Sequence, residues 1–139
     1  MTINEIQDEL IEDFSFYQDW MEKYEYIIQL GKELPLINEE YKTDNYIIKG
    51  CQSKVWLYPE LKDGEVHFTA DSDAVITKGL VSLMVKVLSG HTPQEIAQAN
   101  LYFIDEIGLK EHLSPTRANG LLSMVKQMKL YAVALQMKK

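Results

Sequence analysis

Near its start, the chain's apolar residues recur at gaps of three and four, the period of an amphipathic helix. Ile3, Ile6, Leu10, Phe14 and Tyr17 form one such series, and Thr2 with Glu5 fits a capping box, so residues 2–17 are expected to be helical. A second helix is expected to follow at once. Asp19 and Glu22 offer another box, and Trp20, Tyr24, Ile27, Ile28 and Leu34 line one face. Leu34-Pro35 marks its end, because the residue before a proline avoids the α region. Residues 36–45 are polar and turn-like. The period then shortens. Tyr46-Ile47-Ile48 and Val55-Trp56-Leu57-Tyr58 are β-branched and aromatic, Asp63-Gly64 is a turn signal, and Val66, Phe68 and Ala70 alternate with polar neighbours. Two or three short antiparallel strands are expected, with Gly50-Cys51-Gln52-Ser53 as a loop between the first two.

The remainder returns to the helical period. An apolar stripe from Ala74 to Leu88 ends at Ser89-Gly90, a C-cap signal. Thr92-Pro93-Gln94-Glu95 combines a cap, a proline in the first turn and a glutamate at the third position. Ser114-Pro115 repeats that start, and Ala118, Leu121, Val125, Met128, Ala132 and Leu135 run on as one long closing helix. Two N-terminal helices, a small antiparallel sheet and further helices make an α+β fold, the sheet packed against the helices. The 139 residues show no repeat, linker or low-complexity segment, so one domain over residues 1–139 is expected.

Composition narrows the function classes. The chain has one cysteine, which excludes an internal disulfide and any multi-thiolate zinc or iron–sulfur site within one chain. No apolar run approaches the ~20 residues of a transmembrane helix, and the acidic first twenty residues do not read as a signal peptide. No membrane role is expected, and the cytoplasm, where a free thiol stays reduced, is the expected compartment. Acids outnumber bases 21 to 14, for a net charge of −7, so a phosphate-binding surface is absent from the expectation and nucleic acid is not a partner. Arg117 is the only arginine.

Three places carry candidate chemistry. Cys51 follows Gly50, on a loop between two apolar strands, where function concentrates. It reads either as a working thiol or as a small buried hydrophobe, and spacing alone favours neither. Asp71-Ser72-Asp73 reads first as a helix start, with acids at the positive end of the helix that follows. His112-Leu113-Ser114-Pro115-Thr116-Arg117 reads as another start capped by Ser114. Arg117 then lies in a first turn, where a cation is unfavourable, which points to a carboxylate partner: Asp71, Asp73 or a group on another protein. His67, His91 and His112 have no metal-ligand spacing. Gly79 and Gly120 sit inside apolar helices, where glycine costs ~1 kcal/mol, so backbone is expected to pack on backbone there.

Taken in order, these residues resemble the SufE family of sulfur-acceptor proteins, which includes the CsdE branch. The resemblance runs nearly end to end. It is carried by Trp20-Met21-Glu22-Lys23-Tyr24, Ile27-Ile28-Gln29-Leu30-Gly31 and Leu34-Pro35, then by Ile48-Lys49-Gly50-Cys51-Gln52-Ser53 with Val55-Trp56-Leu57. Asp71-Ser72-Asp73-Ala74 with Lys78-Gly79-Leu80, Thr92-Pro93, and His112 to Arg117 with Gly120-Leu121 complete it. The resemblance implies a fold similar to the iron–sulfur scaffold IscU, whose three cysteines this chain lacks. It implies a pyridoxal-phosphate cysteine desulfurase as partner, with Cys51 taking the persulfide sulfur and stimulating turnover. A downstream iron–sulfur scaffold or acceptor protein then receives the sulfur. The chain itself is expected to be a carrier rather than an enzyme, with no cofactor of its own. Gly50, Gln52, Ser53, Asp71, Asp73, His112 and Arg117 are implied as supports for the cysteine loop or contacts for the partner.

The relay needs one thiolate that attacks the outer sulfur of a persulfide, so one cysteine suffices. A loop that tucks Cys51 away would protect the product, and Gly50 is the natural hinge for swinging it out. The alternative is a cysteine-dependent hydrolase or transferase acting on a small molecule. It requires His67 or His112 beside Cys51 in a deep pocket. A third reading, a module that only regulates a desulfurase, requires no thiol at all.

Overall fold

The computed structural model describes residues 1–137. Its first helix, α1 (Ile3–Ser15), starts at the expected box: the Thr2 hydroxyl accepts from the Glu5 amide at 3.1 Å, and the Glu5 carboxylate accepts from the Thr2 amide at 2.9 Å. Two amides that a helix start leaves unpaired are thereby satisfied. α2 (Trp20–Gly31) starts on Asp19, which accepts from the Glu22 amide at 2.9 Å. The box expected here is half formed, because the Glu22 carboxylate takes the Gln18 amide instead, at 3.3 Å. α2 also stops at Gly31, short of Leu34-Pro35, and single turns carry the chain to the proline.

α2 lies against α3 (Val75–Leu88), most of whose residues are buried. Gly79 makes this approach possible. A Cβ there would lie 2.3 Å from the Ile27 carbonyl oxygen, so backbone does pack on backbone. α3 begins at Ala74 with no side-chain cap, which corrects the reading of Asp71-Ser72-Asp73 as a carboxylate-capped start. The strand before it runs through Ser72, and both carboxylates turn to other partners.

β1 (Val55–Lys62) and β2 (Glu65–Ser72) form a two-stranded antiparallel sheet, in register from Val55↔Ser72 to Lys62↔Glu65. The Asp63-Gly64 turn joins them, with φ of 53° and 81°, the left-handed pair that a tight hairpin asks for. Val55 and Leu57 alternate inward with Val66, Phe68 and Ala70, and β2 meets α3 while β1 meets α7. Tyr46-Ile47-Ile48 is not a third strand. It makes one bridge, Ile47↔Trp56, because the chain must turn away at Gly50.

α4 (Pro93–Gln98) starts on the Thr92–Glu95 box. Two short helices follow, α5 (Phe103–Ile107) and α6 (Leu109–His112), parted by left-handed Gly108. α7 (Pro115–Met137) closes the chain, with the Ser114 hydroxyl accepting from the Arg117 amide at 3.2 Å. It lays Gly120, Leu121, Met124, Met128 and Ala132 on the core, while Ala118, Val125 and Leu135 are only partly covered. Among the described residues, no helix is long and apolar enough to cross a membrane.

Candidate functional site

The cysteine loop is strung between two core residues. Ile48 is buried before it and Val55 after it, and the Ile48 amide donates to the Val55 carbonyl at 2.8 Å, closing the loop at its base. At its far side Lys54 is clamped by the end of β2. Its amide donates to the Asp73 carboxylate at 3.1 Å, and its carbonyl accepts from the Ser72 hydroxyl at 2.8 Å and the Asp73 amide at 3.3 Å. Asp73 thus fixes the far end of the loop through its side chain and its amide.

Gly50 takes φ +94°, a left-handed conformation that side chains disfavour, and a Cβ there would lie 2.5 Å from the Ser123 hydroxyl. The loop thus rests on α7. One turn before Ser123, the Gly120 carbonyl faces the Cys51 thiol, which donates to it at 3.6 Å. The thiol is half-buried, and burial pushes its pKa up. At neutral pH the resting side chain is the protonated thiol, not the nucleophilic thiolate.

Beside the thiol is a cleft of about 60 Å³. Gln52, Ser53, Thr77, Leu80, Thr116, Arg117, Gly120 and Met124 line it with Cys51. That is far below the ~300–1,000 Å³ of an ordinary small-molecule site. No histidine or carboxylate is among the lining residues. His112 stacks on Trp20 with ring centroids 4.0 Å apart and bonds the Gly108 carbonyl through Nδ1 at 3.0 Å. His91 bonds the Leu88 and Met1 carbonyls, and His67 lies beside Glu65 on β2. The hydrolase alternative therefore finds no base at its nucleophile.

Arg117 is exposed at the cleft. Neither Asp71 nor Asp73 pairs with it, and no carboxylate lies within 4.0 Å of it among the described residues. Asp71 is held instead by Lys42 at 2.6 Å, Lys78 at 3.5 Å and the Ser72 amide at 2.8 Å. Burial acts to raise its pKa, but these bonds and charges outweigh that and hold it below its ordinary value. His112 does not line the cleft: with Tyr24 donating to its carbonyl and its ring stacked on Trp20, it fastens the end of α6 to α2.

Of the α7 side of the site, sequence reasoning named Arg117 but missed Thr116, Gly120 and Met124 in the cleft and Ser123 under Gly50. The sequence alone assigns Gly120 to helix packing, yet the atoms nearest a Cβ there all belong to Cys51. The available signal was spacing: Thr116, Gly120 and Ser123 share one helical face, which begins in the segment that carries Arg117.

These features define a class of protein, a small α+β fold that presents one cysteine on a pinned, glycine-flanked loop. Residues 8–132 match the SufE model, described as an Fe-S metabolism associated domain, and the chain belongs to that family. Its role accordingly lies in Fe-S metabolism. A SufE-like protein of Rhizobium meliloti is 40% identical over 127 residues, which cover 88% of this chain and 91% of the relative. One from Synechocystis is 38% identical over 128 residues, 92% of this chain and 80% of the relative. The solution structure of a hypothetical protein from Thermus thermophilus shares the fold, with a TM-score of 0.79 at 16% identity over 95% of this chain and 96% of that one.

Proposed function

We propose that this chain takes sulfur from the persulfide of a pyridoxal-phosphate cysteine desulfurase onto Cys51, stimulates that enzyme by clearing it, and hands the sulfur to an iron–sulfur scaffold or other acceptor protein. The observation that supports it most is the setting of the thiol: one cysteine, on a glycine-flanked and pinned loop, over a cleft too small for a substrate and lined by no histidine or carboxylate. Such a thiol needs a second protein to bring its substrate.

The chemistry balances without an outside oxidant. The Cys51 thiolate attacks the outer sulfur of the desulfurase persulfide. A new S–S bond forms on Cys51, the old one breaks, and its electron pair leaves with the desulfurase cysteine as a thiolate. The Cys51 proton must first be lost, and burial opposes this. The loop therefore works outside its resting seat, swinging on Gly50 when the partner docks. Arg117, exposed beside the cleft, meets the desulfurase or the sulfur's negative charge. The cofactor belongs to the partner, and the reduced thiol suits the cytoplasm.

Intact-mass spectrometry tests this directly. The chain is mixed with a cysteine desulfurase and L-cysteine without reductant. A gain of sulfur on the native chain but not on Cys51→Ser, with faster alanine release only for the native chain, is the expected result. No gain with any of several desulfurases overturns the relay, and full stimulation by Cys51→Ser supports a purely regulatory module.

A further inference from the structure

We propose that Gly120 is a positioning residue for the sulfur relay, kept free of a side chain so that the outer sulfur of a Cys51 persulfide can rest in the space beside it. This rests on the relay reading and deepens it.

Glycine inside a helix needs a reason, since alanine stabilises the same position. At Gly79 the reason is steric, a neighbouring carbonyl 2.3 Å from any Cβ. At Gly120 it is not. A Cβ there would meet Cys51 Sγ at 3.4 Å, the near edge of ordinary contact, and Cys51 Cα and Cβ at 3.8 Å. Alanine would fit with the free thiol in place, so neither helix packing nor the resting loop explains the glycine. What alanine would take is the volume next to Sγ.

That volume belongs to the cleft of about 60 Å³. A water-sized atom needs roughly 10–15 Å³ of such space. One added sulfur therefore fits, and a methyl group at Gly120 would compete with it. Leu80 and Met124 supply apolar walls on which a polarisable sulfur packs, and Arg117 lines the same space with a cation for a perthiolate. Burial there would shield the outer sulfur from small thiols and other nucleophiles.

The test uses inorganic polysulfide as the sulfur source, so that it does not depend on a desulfurase. The Cys51 thiolate displaces a polysulfide one sulfur shorter and keeps the transferred atom as a perthiolate. Cyanide then removes that atom as thiocyanate and regenerates the thiolate, which gives the rate of access to the outer sulfur. Gly120→Ala is expected to load, to melt no lower than wild type, and to be alkylated by iodoacetamide before loading within about twofold of the wild-type rate. Its thiocyanate release is expected to be about five- to tenfold faster, as for the loss of one favourable docking contact. Asn119→Ala, on the exposed side of the same turn, is expected to match wild type.

Equal release from wild type and Gly120→Ala overturns the subsite. So does an alkylation rate that rises in step with release, since that means the whole loop is displaced. Failure of polysulfide to load wild-type Cys51 also overturns it. Failure of the relay itself would appear separately, as no transfer from a desulfurase to a chain that polysulfide does load.

Discussion

The Cys51 thiol rests in the form that cannot react. It donates to the Gly120 carbonyl and is half-buried, and burial raises its pKa. The rate of iodoacetamide alkylation, followed against pH, is expected to show a midpoint above the ordinary thiol value of about 8.5. The same profile in urea should return to that value. A native midpoint at or below it would remove the seated-thiol picture. The linkage has a sign: a group whose folded pKa is raised gives stability that is present at lower pH and is lost as pH rises through the folded value. The loop should therefore loosen on the alkaline side. Asp73 offers a second handle. Asp73→Ala removes the acceptor for the Lys54 amide, and alkylation should speed up by about fivefold, with stability changed by about 1 kcal/mol or less. An unchanged rate would show that the clamp does not hold the loop. Of these residues, Cys51 and Gly50 were legible because a lone cysteine after a glycine, between two apolar runs, is a local pattern. The carbonyl that seats the thiol belongs to a residue 69 positions away, and no local pattern reports it.

At the scale of elements, two glycines in two helices make opposite demands. Gly79→Ala gains helix propensity, about 1 kcal/mol, yet places its methyl 2.3 Å from the Ile27 carbonyl oxygen. That oxygen is backbone within α2 and cannot turn aside, so the helices must part. A net loss of about 2 kcal/mol is expected, read as a fall of roughly 5–10 °C in thermal melting. A rise in Tm would mean that the α2–α3 contact is looser than described. Asp71 joins three elements in another way, tying the Lys42 turn and α3 to the end of β2. Asp71→Asn should cost about 1 kcal/mol at neutral pH. Because the native carboxyl is held below its ordinary value, its contribution is present above the unfolded pKa of about 3.9 and fades as pH falls through the folded one. Wild type and variant should therefore converge in acid denaturation scans below about pH 4. Most elements were legible because their ends carry local signals: Thr2 with Glu5, Thr92 with Glu95, Ser114 before Pro115. α5 and α6 were not, since helices of 5 and 4 residues complete no periodic series. Two strands formed of the two or three expected, because three apolar residues promise a strand whatever follows, and here Gly50 turns the chain toward α7.

At the scale of the whole molecule, the seat of the cysteine loop is shared by elements distant in sequence. β2 holds Lys54, α7 supports Gly50 and Cys51, and α3 contributes Thr77 and Leu80 to the cleft. Releasing the loop gives up all of these at once, so spontaneous opening is disfavoured, and in the proposed relay the docking of a desulfurase would have to supply the free energy. Arg117 is the group placed to couple the two events. It lines the cleft, is exposed, and has no carboxylate within 4.0 Å among the described residues of a chain with net charge −7. Folding should hardly depend on it: Arg117→Ala is expected to melt within about 0.5 kcal/mol of wild type. The loss should appear only in the mixture with a desulfurase, as about a tenfold weaker stimulation of alanine release. Arg117→Lys should not restore it, because a planar two-pronged donor is not replaced by a point charge. Hydrogen exchange separates the two roles open to this side chain. If Arg117 serves docking, added desulfurase should expose the amides of residues 50–54 in wild type and leave them protected in Arg117→Ala. If those amides open equally in both, docking does not run through Arg117, and its charge acts on the sulfur after the loop has moved.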